Sequence, residues 1–282
     1  MPGTLFVVAT PIGNLEDITV RALRVLREVS VIAAEDTRRT AHLLARHAIT
    51  TPTTSLHEHN ETRKTPSLVA RLAAGESVAL VSDAGTPTVS DPGRRLIAAA
   101  IDAGIRVEPI PGASAVLAAL AASGLPTDTF TFLGFPPIRS KDRKIWLERA
   151  RNVDGTLVFF EAPHRIRATL EELLRAVGDC HVVLGRELTK IHEQLVRGPI
   201  SAVLASDLIE TGEFTVVAEI GRIPEILPPV RPGQTQLMAE FGEMTINNGS
   251  TRRQAIAVLS RRYGIPTNEI YDVIESGKKS GN

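Results

Sequence analysis

The 282-residue sequence has a single cysteine, no excess of either charge and no long apolar run. Because Cys180 is the only cysteine, an intramolecular disulfide is excluded and we expect a protein of the reducing cytoplasm. Thirty-two basic residues balance 32 acidic ones, so binding to nucleic acid requires a local basic patch. The most apolar stretch, residues 113–122, is far shorter than the ~20 residues that span a bilayer. No basic segment precedes the N-terminal apolar run, and we expect neither a membrane span nor a signal peptide.

Two glycine-rich phosphate-binding motifs are also missing. No G-x-G-x-x-G follows an apolar strand-like run, which argues against NAD and FAD. No G-x-x-x-x-G-K-[ST] occurs, which argues against a nucleoside triphosphatase. Any ligand of this chain must therefore be held by other loops.

The first 120 residues alternate short apolar runs with helical patterns. Strands are predicted at residues 4–10, 31–34, 53–56, 78–83 and 106–110, and an amphipathic or apolar helical pattern follows each of them. Such alternation predicts a parallel sheet covered on both faces. We therefore expect an α/β domain over residues 1–120.

The rest of the chain is predicted to hold a second α/β domain and a tail. Runs at residues 130–135, 156–160, 181–184, 193–197 and 214–220 indicate strands. They favour a mixed sheet in a domain over residues 121–224. A proline-rich stretch, residues 225–233, indicates a linker. Residues 234–282 then form a small helical domain of the helix-turn-helix type, with one arginine-rich helix beginning near Thr251.

A loop rich in glycine, proline and aspartate follows one of these apolar strands, and residues 78–93 read VALVSDAGTPTVSDPG. Ligands of open α/β sheets bind just beyond the carboxyl ends of strands. Gly85 allows a ligand to approach the backbone, and Asp83 accepts hydrogen bonds from hydroxyl or ammonium groups. We expect Asp91 to cap the next helix. Taken alone, an ordinary strand-turn-helix corner explains the loop equally well.

Seven polar motifs occur in order along the chain: ATPIGNLEDIT, AEDTR, HEHNE, SDAGTPTVSDPG, PGASA, EAPHR and GRELTK. Together they resemble the ribosomal RNA small subunit methyltransferase I family, within the tetrapyrrole methylase-like superfamily. The resemblance covers roughly residues 4–220 and extends more weakly into the tail. It implies two α/β domains with S-adenosylmethionine in the cleft between them, and a homodimer. It also implies 2′-O-methylation of a cytidine in the decoding region of 16S rRNA, within the small ribosomal subunit.

The resemblance further implies which residues bind the cofactor. They are Pro11, Gly13, Asp83, Ala84, Gly85, Ser114 and Ala115 from the first domain, and Leu133, Phe160, Glu213 and Thr215 from the second. Backbone amides at the helix start after Gly112 would hold a carboxylate. A competing interpretation places Phe160 in the core, because an aromatic residue inside a strand usually packs there.

Methyl transfer to a ribose hydroxyl needs aligned reactants and a group that takes the proton. The polar loops without a cofactor role supply the candidate catalytic residues, which are Glu35, Asp36, His59 and Lys190. Candidate RNA-binding residues are Arg38, His57, Asn60, Arg165, Arg252 and Arg253. The competing interpretations are a helix cap for Asp36 and solvated surfaces for the basic helices. Two neighbouring histidines without further ligands are a weak metal signal, and we expect no metal.

Two other functions stay open on the sequence. One is a methylase of the same superfold that acts on a tetrapyrrole or on a diphthamide-type modified histidine. The other is a ligand-sensing regulator with a DNA-binding helix-turn-helix tail. The polar loops and the arginine-rich helix favour RNA, since a small macrocycle needs no basic appendage.

Overall fold

The computed structural model describes residues 1–220, 232, 234–247, 251–263 and 265–279. The chain divides into two units, residues 1–221 and residues 222–282. Apart from Pro232, the predicted linker at residues 225–233 lies outside the described residues. Among the described residues, no helix combines the length and the apolar character that crossing a membrane requires.

The first sheet of the larger unit is five-stranded and entirely parallel. Its strands are β1 (Thr4–Val8), β2 (Val31–Ala34), β3 (Thr53–Ser55), β4 (Val78–Val81) and β5 (Arg106–Ile110). They lie in the order β3-β2-β4-β1-β5. All four pairings are parallel, which confirms the predicted α/β layout.

Helices cover both faces of this sheet. They are α1 (Val20–Glu28), α2 (Thr37–Arg46), α3 (Glu61–Ala73) and α4 (Arg94–Asp102). Alternate strand residues face opposite layers: Ile32 packs with α1 and α2, and Val31 packs with α3 and α4. Burial of each such aliphatic side chain contributes about 1.5–3 kcal/mol. This two-sided burial explains why the strands are apolar without alternation.

The second sheet of the same unit is mixed, as expected. Its strands are β6 (Phe130–Phe132), β7 (Thr156–Glu161), β8 (His181–Arg186), β9 (Gln194–Pro199) and β10 (Phe214–Glu219). Their order is β6-β7-β10-β8-β9, and only β6 and β7 pair in parallel. One face is covered by α6 (Ser140–Arg151), α7 (Ile166–Val177) and α8 (Ile200–Ala205). The sequence did not predict α8.

One helix joins the two sheets. After β5 the chain forms α5 (Ala115–Ser123), and its Val116, Ala119 and Leu120 pack on the second sheet against Val158 and Val217. The predicted border after residue 120 therefore falls inside this helix. Its sequence is apolar on every side, so no pattern indicated which sheet it would cover.

The smaller unit is helical. It contains α9 (Gln234–Gly242), which continues as a π-helical segment (Glu243–Asn247), then α10 (Arg252–Tyr263) and α11 (Thr267–Lys279). Leu237, Phe241, Leu259 and Ile270 form its core. The sequence predicted α10 and α11 and did not predict α9.

The buried carboxylate of Glu61, at the end of the HEHNE motif, caps α4. Its Oε1 accepts hydrogen bonds from the backbone amides of Gly93 (3.2 Å) and Arg95 (2.7 Å). Gly93, with φ of 120°, is the residue before the helix, so the prediction that Asp91 caps it is wrong. A side-chain Cβ at Gly93 would lie 2.6 Å from Leu80, which leaves room for glycine alone.

Replacing Glu61 by alanine should destabilise the larger unit by about 1–2 kcal/mol, because two amides at a helix start lose their acceptor. Glu58→Ala, at an exposed position of the same motif, is the control. The urea midpoints of the two variants provide the measurement. Equal midpoints would contradict this role of Glu61.

Candidate active site

A cavity of about 470 Å³ lies between the two sheets, beyond the carboxyl ends of β1, β2 and β4. Residues from both sheets and from the start of α5 line it. Its position is the one that open α/β sheets use for ligands.

The floor of the cavity is formed by two loops of the first sheet. Thr10 and Gly85 exchange two backbone hydrogen bonds of 2.9 Å, and the Thr10 hydroxyl donates to the Ser82 carbonyl at 3.2 Å. Gly85 has φ of 75°, and a Cβ there would lie 3.4 Å from Ile12. Glycine therefore allows the loop to turn and to lie against Ile12, which lines the cavity.

Three carboxylates, those of Glu35, Asp83 and Asp91, line one end of the cavity. The Asp83 amide donates to Glu35 Oε2 at 3.3 Å, and the Asp36 amide donates to Asp83 Oδ1 at 2.9 Å. Burial raises the pKa of Glu35, and the charge of Asp83 adds to this effect. Burial, together with the charges of Glu35 and Asp83, raises the pKa of Asp91 to about 6. A cation bound among these groups would relieve their repulsion.

The opposite wall is aromatic and belongs to the second sheet. Phe160 of β7 contacts Phe132 edge-on at 4.9 Å between ring centroids and Phe135 at 5.3 Å. Phe160 and Phe135 both line the cavity, and 53% of Phe135 is exposed. Phe159, the neighbour of Phe160 in β7, is fully buried in the core.

A charged network behind this wall fixes the loop that carries Phe135. Glu161 is 1% exposed and accepts hydrogen bonds from the Thr169 hydroxyl and from its neighbour's amide. The Arg165 guanidinium lies 3.3 Å from Glu161 and donates to the Pro136 carbonyl, next to Phe135. Arg165 thus connects a buried carboxylate to the backbone of the aromatic loop.

Two close contacts bring the loops of the two sheets together. Lys190 lies over Gly13, where a Cβ would be 2.4 Å from Lys190 Cγ. Its ammonium contacts Glu187 at 2.9 Å and Glu213 at 3.0 Å. The second contact joins the loop after β6 to the loop after β4, where a Cβ at Gly134 would lie 3.5 Å from the Ser90 hydroxyl. Gly13 therefore serves the contact with Lys190 and does not line the cavity.

Backbone strain is concentrated in the same loops. In the described part of the chain five non-glycine residues have positive φ, and Thr88 (72°), Ser90 (69°), Glu187 (51°) and Thr189 (67°) belong to the loops that meet here. Positive φ is unfavourable for side chains, and most of all for threonine. Strain of this kind persists where the surrounding structure enforces it, which is typical of ligand sites.

The structure brings eight of the eleven predicted cofactor residues to the cavity. They are Asp83, Ala84, Gly85, Ser114, Ala115, Phe160, Glu213 and Thr215. Pro11 and Leu133 are not among the lining residues, and Leu133 instead accepts a hydrogen bond from Trp146. Sequence reasoning missed Phe135 and Leu188 as lining residues, whereas the predicted turn at residues 11–13 contributes Ile12 to the lining. The Gly-Phe-Pro-Pro turn directly after β6 could have indicated Phe135, because loops at strand ends form such sites.

The four predicted catalytic residues separate in space. Only Glu35 lines the cavity. Asp36 caps α2 through the Arg38 amide, and hydrogen bonds from Arg38 hold the pKa of its carboxyl at about 2. His59 is exposed and contacts His57 edge-on. Lys190 is engaged with its two carboxylates at the rim.

The predicted RNA-binding residues differ in exposure. Arg38 and Arg253 are exposed. Asn60 is buried, and its amide group accepts from the His57 backbone and donates to Ser55. This placement gives Asn60 a structural role and leaves no free amide for RNA.

Three of the predicted RNA-binding arginines already have partners. Arg38 pairs with Asp36 at 2.8 Å. Arg165 is held by Glu161 and Pro136, as described above. In the smaller unit, Arg252 pairs with Glu275 and lies 4.9 Å above the Tyr271 ring. Contacts between RNA and these side chains would have to replace existing ones. Among the described residues, no group of three or more His, Cys, Asp or Glu side chains is arranged for a metal ion.

Residues 4–204 match the family model of the tetrapyrrole (corrin/porphyrin) methylases. Fold, cavity and family model together define the chain as a methyltransferase of this class. A ribosomal RNA small subunit methyltransferase I from Halalkalibacterium halodurans is 43% identical over 96% of this chain and 94% of its own length. The protein of that name from Mesorhizobium japonicum is 52% identical over 71% of this chain and 68% of its own length. The chain belongs to the ribosomal RNA small subunit methyltransferase I family.

Solved structures share the fold at low identity. A diphthine synthase matches with a TM-score of 0.61 and 19% identity, covering 77% of this chain and 90% of its own. The uroporphyrin-III C-methyltransferase of Thermus thermophilus, crystallised with S-adenyl homocysteine, matches with a TM-score of 0.56 and 19% identity. That match covers 77% of this chain and 98% of the Thermus chain.

Asp91 should make stability depend on pH. Its pKa of about 6 lies above the ~4 of an unfolded aspartate, so the folded state binds its proton more tightly. The resulting stabilisation is complete below about pH 4 and is lost as pH rises through 6. Asp91→Asn should therefore be more stable than the parent by about 1 kcal/mol at pH 8, after allowance for solvent screening, and equal to it at pH 4.

Urea unfolding at the two pH values measures this difference. The exposed Asp128→Asn is the matched control and should change little at either pH. A difference between Asp91→Asn and the parent that is the same at both pH values would contradict the prediction.

Proposed function

We propose that this chain transfers the methyl group of S-adenosylmethionine to the ribose 2′-oxygen of a cytidine in the decoding region of 16S rRNA. The observation that carries the proposal is the 43% identity to an rRNA small subunit methyltransferase I over 96% of the chain. The cavity at the ends of β1, β2 and β4 is the proposed donor site.

The lining of the cavity fits the chemical groups of this cofactor. Asp83 provides carboxylate oxygens that accept from an ammonium group. Ala115 and Val116 are the first residues of α5, whose unpaired backbone amides suit a carboxylate. The apolar surface of an adenine ring finds Phe160 and other apolar side chains on the opposite wall. When bound, the cofactor supplies a methyl group activated by its sulfonium charge.

Glu35 is the residue that we propose as the acceptor of the hydroxyl proton. As the 2′-oxygen bonds to the methyl carbon, the carbon–sulfur bond breaks and its electron pair stays on sulfur, while the proton moves to the carboxylate. Glu35 lines the cavity, and its raised pKa makes it a better base than Asp36, whose pKa is about 2. Asp36 instead caps α2, and His59 lies outside the lining of the cavity.

Exposed Arg38, which pairs with Asp36 at the start of α2, is proposed to contact an RNA phosphate. The homodimer, the small-subunit substrate and the cytoplasmic location follow from family membership alone and stay predictions. A tetrapyrrole or diphthamide substrate is supported only by a shared fold at 19% sequence identity, whereas the rRNA methyltransferase has 43% identity. A regulator without catalysis conflicts with the methyltransferase family.

Purified protein, labelled S-adenosylmethionine and unmethylated small ribosomal subunits test this function. The expected product is one ribose methyl on a decoding-region cytidine, located by mass spectrometry of 16S rRNA. Glu35→Gln should lower kcat at least 100-fold and leave cofactor affinity within a few fold, since general base catalysis contributes about 10²–10⁴-fold. Glu171→Gln, an exposed change on α7, should have no effect. A methyl group on a base would contradict the proposed product. Full activity of Glu35→Gln would contradict the proposed role of Glu35 as the base.

Arg165 should act on cofactor binding rather than RNA binding. In Arg165→Lys the guanidinium that contacts both Glu161 and the Pro136 carbonyl is lost. The loop that carries Phe135 is then held less firmly. We expect about five-fold weaker S-adenosylmethionine binding by calorimetry, equivalent to about 1 kcal/mol, with unchanged RNA affinity. Arg167→Lys, which affects a pair with Glu210 outside the cavity, is the control. The reverse pattern, with weaker RNA binding and unchanged cofactor binding, would favour the RNA contact instead.

A further inference from the structure

A second cavity, of about 610 Å³, lies on the other side of the Lys190 side chain from the donor cavity. It is formed by the turn after β1, the end of α2 and the loop after β8. Neither the motifs nor the proposed chemistry assign a ligand to it. Its lining includes Arg46, His47, Thr189 and His192.

The two cavities are neighbours at Lys190. Lys190 lines the second cavity, and its partner Glu213 lines the first, 3.0 Å away. The stem of Lys190 is pressed against Gly13, which also lines the second cavity. A ligand in the second cavity would therefore lie next to a ligand in the first cavity.

The second cavity contains buried polar atoms that lack partners. Four buried side-chain atoms in the described part of the chain make no hydrogen bond, and two of them, His47 Nε2 and Thr189 Oγ1, belong to its lining. Such atoms are unfavourable while they are unsatisfied. Thr189 is also strained, with φ of 67°, and a 2.6 Å hydrogen bond from its amide to Glu193 holds it there. Strain of this kind is typical of ligand sites.

One cation of the lining is available to an anionic ligand. Arg46 is exposed at the end of α2 and forms no ion pair with any described residue. Lys190 is already neutralised by Glu187 and Glu213, so Arg46 is the cation available to a phosphate. Glu16 is the sole acidic residue of the lining. At the rim, Ile191 is 98% exposed, which offers an apolar surface to the face of a base.

We propose that the second cavity binds a ribose-phosphate unit of the RNA strand, next to the nucleotide whose ribose enters the donor cavity. Arg46 binds the phosphate. The Lys190–Glu213 wall separates the nucleotide that is methylated from its neighbour. This inference rests on the proposed function, since it takes RNA as the substrate.

Site-directed crosslinking tests the location. Cys180 is half-buried, and burial raises the pKa of its thiol to about 11, so an introduced exposed cysteine can be labelled selectively. Ile191→Cys and the control Ile145→Cys, 54% exposed on α6, each receive a short photo-crosslinker. With unmethylated small subunits, Ile191→Cys should crosslink within a few nucleotides of the methylated position, and Ile145→Cys should not. Equal or distant crosslinks, or crosslinks to a second copy of the chain in place of RNA, would overturn the proposal.

Charge removal tests the phosphate contact. Arg46→Gln should weaken binding to the same subunits about five- to ten-fold and leave S-adenosylmethionine binding unchanged. Arg149→Gln removes the same charge from exposed α6 and should weaken RNA binding less than two-fold. Equal losses in the two variants would mean a general charge effect and would overturn the proposal. If the parent protein binds RNA but transfers no methyl group, the proposed function fails, while these comparisons still test the second cavity.

Discussion

The two hydrogen bonds between Thr10 and Gly85 are the constraint on which the candidate site depends. They join the loops that follow β1 and β4, neighbours in the parallel sheet, and so close the floor of the cavity. The contact requires the left-handed backbone of Gly85. With this floor fixed, Asp83 and Ile12 face the same space, and the second sheet adds its aromatic wall above them.

Electrostatics gives this cavity its chemical character. Burial of Glu35, Asp83 and Asp91 near one another is unfavourable, as the raised pKa values of Glu35 and Asp91 show, and Arg39, 3.5 Å from Asp83, offsets only part of the repulsion. Nearby, Lys190 carries the opposite charge but is neutralised by Glu187 and Glu213. The donor cavity is thus suited to a positively charged ligand, and anion-binding capacity lies beyond the wall, at Arg46.

Several polar residues of the sequence motifs hold loops and helix ends in place. In HEHNE, Asn60 fixes its own turn and Glu61 caps α4, the helix that follows the SDAGTPTVSDPG loop. In EAPHR, Glu161 and Arg165 hold the loop of Phe135. Their polar residues are adjacent to the cavity because they position its walls. Polar motifs at strand ends therefore combine contact residues with residues that support them.

The sequence by itself determined the sheet types and most of the elements, with α8 and α9 as exceptions. β2 and β5 have the predicted bounds, because apolar runs and loop residues are local signals of strand and turn. Tertiary structure alone decided the roles of individual polar side chains: Glu35 faces the cavity, while its neighbour Asp36 caps a helix. It also decided that α5 covers the second sheet. The physical reason is that these roles depend on contacts between residues far apart in the sequence. Thr10 and Ser82, for example, are 72 residues apart, and no local sequence pattern encodes their contact.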